Sequence, residues 1–488
     1  MNSPSYSSID LQSEDMSPTT PTQIPVGMFA STSAESSPRT SMDTSTDTPL
    51  WTPPWTPSRT PSPVPPSIHY IPFSENPFFV GREEILSTIN NRLFTSTGFQ
   101  NVALMGLGGI GKTQVALSFA HWVKKTKPDY SVIWLTVTSM ADFHNSCQKL
   151  VEHLGIQDAN HQDPKMLVRH YLETDQSGKW LLVLDSFDDA SLFYAIPTQD
   201  RICHFLPQSE NGRVLLTTRS KTVACVAVRS RASTIKLDEM APEESAALFL
   251  RSPNINAQVH TSDLINDLVE ELGHIPLAIM QAADYMSARN ISISEYLQLF
   301  RSRETDRIAL LEYNHVDETY HSPSQGAVAT AWRSTLEQIR KESADAVALL
   351  EFIAQIDSKS IPKSIFPQFE TELDMIEATG MLLQHSLLSK LKAPGLFDMP
   401  ILVHCVVQQW CKSLGNSEKQ RLAVLEHMIR VFPDIRRKDP ELWQQYLPHA
   451  RHVVKRDKAI SRDACTLESR IAQCLLEDGK TGEAAGIS

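Results

Sequence analysis

The chain has 488 residues, and 45 Lys and Arg against 57 Asp and Glu give it a formal net charge of −12. Hydrophobic residues make up 41% of it, so it can bury a sizeable core, and a wholly disordered protein is excluded. The length suggests roughly three domains of about 150 residues each. The acidic balance argues against a protein that coats nucleic acid.

Proline is unevenly distributed along the chain. Of its 30 prolines, 13 lie in residues 1–66, a segment dominated by Ser, Thr and Pro that contains no Lys. Such a segment cannot bury enough apolar surface to offset the entropy lost on ordering. We therefore predict that residues 1–70 form a disordered Ser/Thr/Pro-rich tail.

Cysteine usage and hydropathy indicate the compartment. The seven cysteines are scattered and form no CxxC pair, a pattern typical of a reducing, intracellular environment. No apolar run approaches the roughly 18 residues that a membrane span needs. No basic stretch followed by an apolar segment marks a signal peptide. We expect a cytoplasmic protein that does not insert into a membrane.

Residues 71–236 alternate short apolar runs with longer amphipathic segments. The runs at 102–105, 131–137, 180–184 and 213–217 are rich in Val, Ile and Leu and predict buried strands. Helical patterns lie between them, for example at 113–125 and 164–173. This alternation predicts an α/β domain with a parallel sheet and helices on both faces.

Strand patterns become rare after residue 236, and residues 237–310 predict an all-helical domain. Helices are expected at 242–251, 262–272 and 276–289, with Pro242 and Pro276 in the first turns, where a missing N–H costs little. The polar run 301–325 predicts a connecting segment, which we place at residues 311–330.

Residues 331–415 predict three helices followed by a small hairpin, an order that resembles a winged helix. The helices are expected at 344–355, 363–369 and 373–383, and a further helix at 401–414 closes the unit. The hairpin strands at 386–391 and 395–399 flank a turn that contains Pro394 and Gly395. The remaining residues, 416–488, read as helical.

A glycine-rich segment carries the strongest motif. Residues 106–113 read GLGGIGKT, which matches G-x-x-x-x-G-K-[ST], between a predicted strand and a predicted helix. Glycines let backbone N–H groups turn inward around phosphate oxygens, and the helix N-terminus adds partial positive charge. Lys112 is placed to reach the terminal phosphates of ATP or ADP, and Thr113 to coordinate Mg²⁺. The predicted phosphate-binding residues are Gly106, Gly108, Gly109, Ile110, Gly111, Lys112, Thr113 and Gln114.

The second motif is a hydrophobic strand that ends in an acid, WLLVLD at residues 180–185. In a parallel sheet this places Asp185 beside the phosphates, where it serves Mg²⁺ together with Thr113. Many P-loop hydrolases carry a second acid directly afterwards to polarise water, but this chain has Ser186 there. Nucleotide binding is therefore better supported than hydrolysis.

A third strand leads into Arg219. The planar guanidinium suits phosphate, so Arg219 is a candidate sensor of the γ-phosphate; the alternative is a surface arginine in a loop. Asp185 and Arg219 are the candidate catalytic residues.

In this order the motifs resemble the NB-ARC ATPases of the STAND class, the nucleotide switches of plant and fungal immune receptors and of apoptotic scaffolds. The resemblance covers about residues 78–413. Residues 79–83, FVGRE, look like the family's first motif, which implies that Val80, Gly81 and Arg82 contact the base and ribose. Residues 273–278, GHIPLA, look like its Gly-x-Pro-Leu signature, which implies that Pro276 packs on the adenine.

One family position differs. The family usually carries Met-His-x-Leu-Val in the winged helix, and that histidine holds the β-phosphate of ADP; here residues 399–403 read MPILV, with Pro400 in its place. Loss of this contact is expected to bias the switch toward its open state. His404 lies nearby, and a lone histidine on an apolar helix face is more often packed core than a ligand.

Residues 467–485 resemble the beginning of a tetratricopeptide repeat, with Ala472, Gly479 and Ala484 at small-residue spacing. The alternative is a terminal amphipathic helix.

The leading functional hypothesis is a signalling switch, closed with ADP and self-associating with ATP, with an unidentified protein partner. Three observations of the sequence bear on the alternatives. Ser186 disfavours a constitutively turning-over ATPase. The net charge and the absence of a basic cluster at 373–384 disfavour a nucleotide-gated transcriptional regulator that binds nucleic acid. An inert nucleotide-binding scaffold stays open, as does slow hydrolysis.

Overall fold

The computed structural model describes the chain from residue 67 onward, with internal gaps. The described residues are 67–156, 162–194, 201–228, 233–253, 261–313, 327–415, 417–433, 440–456, 461–477 and 479–480.

A parallel sheet forms the first part of the described chain. Its strands follow the order β1-β3-β4-β5-β2-β6, and every neighbouring pair is parallel. The strands are β1 (His69–Tyr70), β2 (Gln100–Met105), β3 (Tyr130–Thr136), β4 (Lys179–Asp185), β5 (Gly212–Thr218) and β6 (Thr234–Lys236). The helices among them are α1 (Glu83–Phe94), α2 (Lys112–Thr126), α3 (Met140–Leu154), α4 (Pro164–Glu173), α5 (Ser191–Tyr194) and α6 (Lys221–Ala227). The predicted α/β class is confirmed.

The end of the predicted disordered tail belongs to this sheet. Strand β1 pairs with β3, and the Val132 N–H donates to the Ile68 carbonyl at 2.8 Å. The Ile68 N–H in turn donates to Ser131 Oγ at 3.0 Å. The prediction is therefore wrong for residues 69–70, because two paired residues are too few to produce a periodic pattern in the sequence. Residues 1–66 lie outside the described residues.

Two hydrophobic cores cover the two faces of the sheet. Side chains alternate along each strand, so Leu181 and Val183 enter one core while Leu182 and Leu184 enter the other. The first core includes α1, α2 and the apolar faces of helices that follow β6. The second contains residues of α3, α4 and α6. Helices on both faces explain why the strands read as continuous apolar runs.

Five helices follow the sheet: α7 (Pro242–Arg251), α8 (Ser262–Glu271), α9 (Pro276–Arg289), α10 (Ile293–Ser302) and α11 (Glu304–Leu311). The polar run 301–325 was expected to connect domains, yet α11 lies within it. Its buried Ile308, Leu310 and Leu311 supply the apolar face that the surrounding charges hide in the sequence. Residues 314–326 lie outside the described residues, and α12 (Val328–Glu342) begins within the predicted connecting segment.

Residues 327–415 combine helices with a small antiparallel sheet, and we call them the helix-and-hairpin region. The elements after α12 are α13 (Ala344–Ile353), β7 (Ile361–Pro362), α14 (Glu372–Gln384), β8 (Ser389–Lys390), β9 (Leu396–Asp398) and α15 (Ile401–Ser413). The three strands pair in the order β7-β9-β8, and β8 and β9 form the predicted hairpin.

The helix predicted at 363–369 is wrong. A single 3₁₀ turn covers Lys363–Ile365, and Phe366 is extended with φ −59° and ψ 152°. The following Pro367 disfavours the helical conformation at Phe366, and this stops the turn.

Three helices complete the described chain: α16 (Ser417–Val431), α17 (Pro440–Arg456) and α18 (Arg462–Glu477). The first part of the predicted repeat lies in α18, and residues 481–485 lie outside the described residues. The repeat therefore stays a prediction. Within the described residues, no helix combines the length and apolar character needed to cross a membrane.

Candidate functional site

The predicted site residues converge at one edge of the parallel sheet. Strand β5 lies between β4 and β2, so the carboxyl ends of these three strands are neighbours. Met105 is in register with Thr218, and Leu184 with Leu216. The glycine-rich loop follows β2, Asp185 ends β4, and Arg219 follows β5. All three therefore meet where ligands bind in open α/β sheets.

The glycine-rich loop, residues 106–113, has the backbone of a phosphate-binding turn. Gly109 has φ +80° and Gly111 has φ +95°, values that a side chain would disfavour. Alternating handedness of this kind turns successive N–H groups into one concavity, and α2 begins directly afterwards at Lys112. The loop therefore fits a phosphate group.

Lys112 is a buried cation against this loop. Its Nζ donates to the Gly106 carbonyl at 2.9 Å and to the Leu107 carbonyl at 3.0 Å, and only 8% of the residue is exposed. Burial lowers the pKa of the Lys112 ammonium to about 8, although the nearby Asp188 and Asp185 oppose this shift. An anionic ligand would stabilise the charge that burial disfavours.

Asp185 is fully buried and is held by two hydroxyl groups. Its Oδ1 accepts hydrogen bonds from Thr113 Oγ1 at 2.9 Å and from Thr217 Oγ1 at 2.7 Å. The Ser186 N–H donates to Thr217 Oγ1 at 2.8 Å, so the end of β4 is tied to β5. Hydroxyl and carboxylate oxygens are the ligands that Mg²⁺ prefers, so Thr113 and Asp185 fit the predicted metal site.

Arg219 is not a surface residue, because its side chain is only 15% exposed. Its N–H donates to Asp188 Oδ1 at 2.6 Å, and its Nε lies 3.1 Å from Asp188 Oδ2. Its Nη1 donates to the Ala331 carbonyl at 2.5 Å and lies 3.3 Å from Thr335 Oγ1. The predicted phosphate sensor therefore joins the sheet edge to α12.

A second contact from α12 reaches the glycine-rich loop itself. The indole Nε1 of Trp332 donates to the Gly108 carbonyl at 2.9 Å, and Trp332 is 1% exposed. A Cβ on Gly108 would lie 3.3 Å from Trp332 Cδ1 and 3.4 Å from Arg219 Cζ. Sequence reasoning missed Trp332, because no local motif indicates a contact across 224 positions.

The predicted base-binding residues lie beside the loop. Gly81 and Arg82 both have left-handed φ values, +69° and +66°. The Arg82 N–H donates to Glu244 Oε1 at 2.8 Å, while Glu244 Oε2 accepts from the Ala241 N–H at 3.2 Å. Arg82 Nη2 donates to the Ile110 carbonyl at 3.5 Å, and Val80 packs half-buried on the core. Glu244, which no sequence motif indicated, therefore connects the backbone of Arg82 to that of Ala241.

Pro276 and Gln114 complete the surroundings of the loop. Pro276 begins α9, and its Cγ would lie 3.7 Å from a Cβ on Gly111. The following Leu277 N–H donates to the Gly109 carbonyl at 3.2 Å. Gln114 accepts a hydrogen bond from Asn76 Nδ2 at 3.0 Å. The sheet edge, residues 80–82 and the start of α9 thus surround one loop.

Two buried histidines of the helix-and-hairpin region, His404 and His385, differ in their hydrogen-bond partners. His404 is buried in the core, where its ring lies 2.9 Å from the Ile353 carbonyl and 3.3 Å from Gln408 Nε2. The packed-core interpretation of His404 is confirmed, and Pro400 is the N-cap of α15. His385, at the end of α14, is 4% exposed, and its Nε2 has no hydrogen-bond partner among the described residues.

The pKa of His385 reflects its surroundings. Burial lowers the pKa most, and Arg219 acts in the same direction, whereas Glu342 and Asp188 oppose it. Burial therefore disfavours the charged form of His385, and the ring lies within the electrostatic reach of the Arg219–Asp188 pair.

A parallel sheet, a glycine-rich loop with a buried lysine, and an acid at the end of the neighbouring hydrophobic strand together define a P-loop NTPase. Within this class, residues 82–258 match the NB-ARC domain family, and this segment of the chain is an NB-ARC domain.

Curated relatives extend the similarity beyond that domain. A nucleotide-binding leucine-rich repeat (NLR)-like protein of Hyaloscypha variabilis is 29% identical over 79% of this chain, which covers 40% of the relative. The regulatory protein AfsR of Streptomyces griseus is 28% identical over 44% of this chain and 21% of its own length. The chain therefore spans less than half of the length of these relatives.

Among solved structures, the Walker-type ATPase PABY2304 of Pyrococcus abyssi matches 68% of this chain and 96% of its own. The identity is 12% and the TM-score is 0.44.

Proposed function

We propose that the chain is an ATP/ADP-binding signalling switch in which nucleotide exchange controls a closed and a self-associating state. The observation that carries this proposal is the position of Arg219. Its guanidinium contacts Asp188 at the sheet edge and the Ala331 carbonyl of α12 at the same time. A residue suited to phosphate thus connects the nucleotide site to the helix-and-hairpin region.

The chain's own residues would hold the ligand as follows. The N–H groups of residues 106–113 and the Lys112 ammonium bind the phosphates, while Thr113 and Asp185 hold Mg²⁺. The metal ion neutralises phosphate charge when it is bound. Residues 80–82 and Pro276 lie on the loop's flank and bind the base and ribose.

Switching requires a ligand with different affinities for the two states. Arg219 donates to α12 in the structure, an arrangement that fits the proposed closed state. A γ-phosphate is a stronger acceptor for a guanidinium than a backbone carbonyl, because the hydrogen bond is charge-assisted at both partners. The triphosphate would therefore draw Arg219 away from α12 and loosen the helix-and-hairpin region, whereas the diphosphate would leave the contact in place. The similarity to a nucleotide-binding, NLR-like protein supports nucleotide binding by this chain.

Two competing functions are less well supported. Steady hydrolysis lacks a second acid after Asp185, since Ser186 stands there and the Asp188 carboxylate is paired with Arg219. Sequence-specific DNA binding lacks cations on α14, which carries Glu372, Asp374 and Glu377 and no Lys or Arg.

Light scattering of the full chain tests the switch. We expect a monomer with Mg²⁺ and ADP, and a larger assembly with Mg²⁺ and a non-hydrolysable ATP analogue. Identical masses with ADP and with the analogue, together with ATP hydrolysis faster than about 1 s⁻¹, would favour a constitutively turning-over ATPase instead.

A further inference from the structure

We propose that Trp332 makes the closed site selective for a nucleoside diphosphate, because its indole occupies the side of the loop that a third phosphate would approach. This inference rests on the proposed nucleotide binding and names the residue that discriminates the two ligands. It concerns α12, which no motif of the site includes.

Two side chains meet at Gly108 and Lys112 lies against the two residues before it, and these positions mark the terminal-phosphate side of the loop. Lys112, the cation that serves the terminal phosphates, bonds to the carbonyls of Gly106 and Leu107 directly before Gly108. The guanidinium carbon of Arg219 would lie 3.4 Å from a Cβ on Gly108. The indole of Trp332 covers the same residue at 3.3 Å from that position.

No space for a phosphate remains between the indole and the Gly108 carbonyl. Trp332 Nε1 lies at hydrogen-bond distance, 2.9 Å, from the Gly108 carbonyl, and the residue is 1% exposed. Because Gly108 has no side chain, the Trp332 indole can approach it closely and the loop can turn around a phosphate. A γ-phosphate on this side therefore requires the indole to leave.

The two contacts of α12 are coupled because they come from consecutive residues. Ala331 accepts a hydrogen bond from Arg219, and Trp332 donates one to Gly108. A triphosphate that engages Arg219 removes the first contact and collides with the second. A diphosphate disturbs neither, so α12 remains docked and covers the site.

A matched pair of substitutions tests this role in the full chain. Trp332→Phe keeps most of the aromatic packing and removes the N–H donor to Gly108. Trp410→Phe is the control, because Trp410 is equally buried in the helix-and-hairpin region and its Nε1 donates to Glu337 Oε1 at 2.7 Å, away from the loop.

Calorimetry would measure the affinities of Mg²⁺–ADP and of a Mg²⁺-bound non-hydrolysable ATP analogue for each protein. We expect wild type to prefer ADP. Loss of one net hydrogen bond in Trp332→Phe should reduce this preference by about fivefold, mostly through tighter binding of the analogue. The release of a fluorescent ADP derivative should accelerate by a similar factor. Trp410→Phe should retain the wild-type preference even if its melting temperature falls.

The outcomes separate this inference from the proposed function. An unchanged preference in Trp332→Phe, or an equal change in Trp410→Phe, would overturn the role of Trp332. If wild type binds both nucleotides equally but self-associates only with the ATP analogue, the switch survives and the selectivity of Trp332 does not. A wild-type chain that binds neither nucleotide overturns both proposals.

Discussion

The candidate site has two sides that are built differently. On the sheet edge, Asp185 is fully buried and accepts hydrogen bonds from two threonines on two other elements. On the opposite side, α12 reaches the site through the Gly108 carbonyl, which Trp332 contacts, and through the Arg219 guanidinium, which contacts Ala331 and Thr335. The edge is thus fixed by a strand register, whereas α12, which we call the cover, is attached at about one turn of the helix. A site of this kind can release its cover without losing its phosphate-binding geometry.

The largest expected effect is a loss of nucleotide affinity when the sheet-edge side of the site is altered. Lys112→Ala should lower the affinity for both ADP and ATP by about 100-fold, because hydrogen bonds to charged groups contribute about 1.5–3 kcal/mol each. Calorimetry would measure both affinities. Lys179→Ala is the control, since Lys179 is an exposed lysine paired with Asp129 at the other end of β4. Equal losses in the two variants would mean that Lys112 does not bind phosphate.

A smaller effect should separate the contribution of Mg²⁺ to the ADP affinity from that of the phosphate contacts. Asp185→Asn keeps the shape of the side chain but removes its charge, so the gain in ADP affinity on adding Mg²⁺ should fall about tenfold. Affinity measured in a chelator should change little. The neighbouring Ser186→Ala, whose Oγ lies 3.5 Å from Asp185 Oδ2, should behave like wild type. A full Mg²⁺ response in Asp185→Asn would remove this carboxylate from the metal site.

The smallest effect concerns His385, at the end of α14, and the pH dependence of stability. Burial lowers the pKa of His385 in the folded state below the unfolded value of about 6.5, so the unfolded chain binds more protons between those two values. The free energy of unfolding should therefore be highest above about pH 6.5 and fall as the pH drops through that window.

Urea denaturation at two pH values, on either side of that limit, would measure the effect. His385→Gln should lose less stability on acidification than wild type. His427 and His449 also have pKa values lowered mainly by burial, so part of the dependence should persist. His170→Gln, at an exposed position of α4, serves as the control. An identical pH dependence in His385→Gln and wild type would refute the contribution of this ring.

The sheet-edge side was largely predictable from the sequence, and the cover was not. Strands β2 to β5 are apolar runs bounded by polar residues or glycine, and the motif at 106–113 has a fixed order, so local pattern located both. Trp332 lies on an ordinary amphipathic helix, and nothing near it in the sequence indicates that it touches Gly108. The contact exists only because the chain between them folds back.

Two local elements, α11 and β1, lack a pattern for a similar physical reason. The buried residues of α11 are too few to stand out among its charges, and two residues of β1 cannot show a strand period. Arg219 lay between these extremes. Its place at the end of β5 followed from the pattern of strands, but its partner on α12 did not.

The two hydrophobic cores have a consequence for motion. Residues of α3, α4 and α6 close one face of the sheet, while the other face shares its core with the helices after β6. A displacement of α12 would therefore act on the first core, to which residues of α12, β2, β4 and β5 all belong, and would leave the second core unchanged. In a hydrogen-exchange experiment, the exchange rates of the α3 and α4 amides should not depend on the bound nucleotide. The rates of the α9 and α12 amides should differ between ADP and the ATP analogue. The sheet would then keep its packing on one face while the core on its other face rearranges.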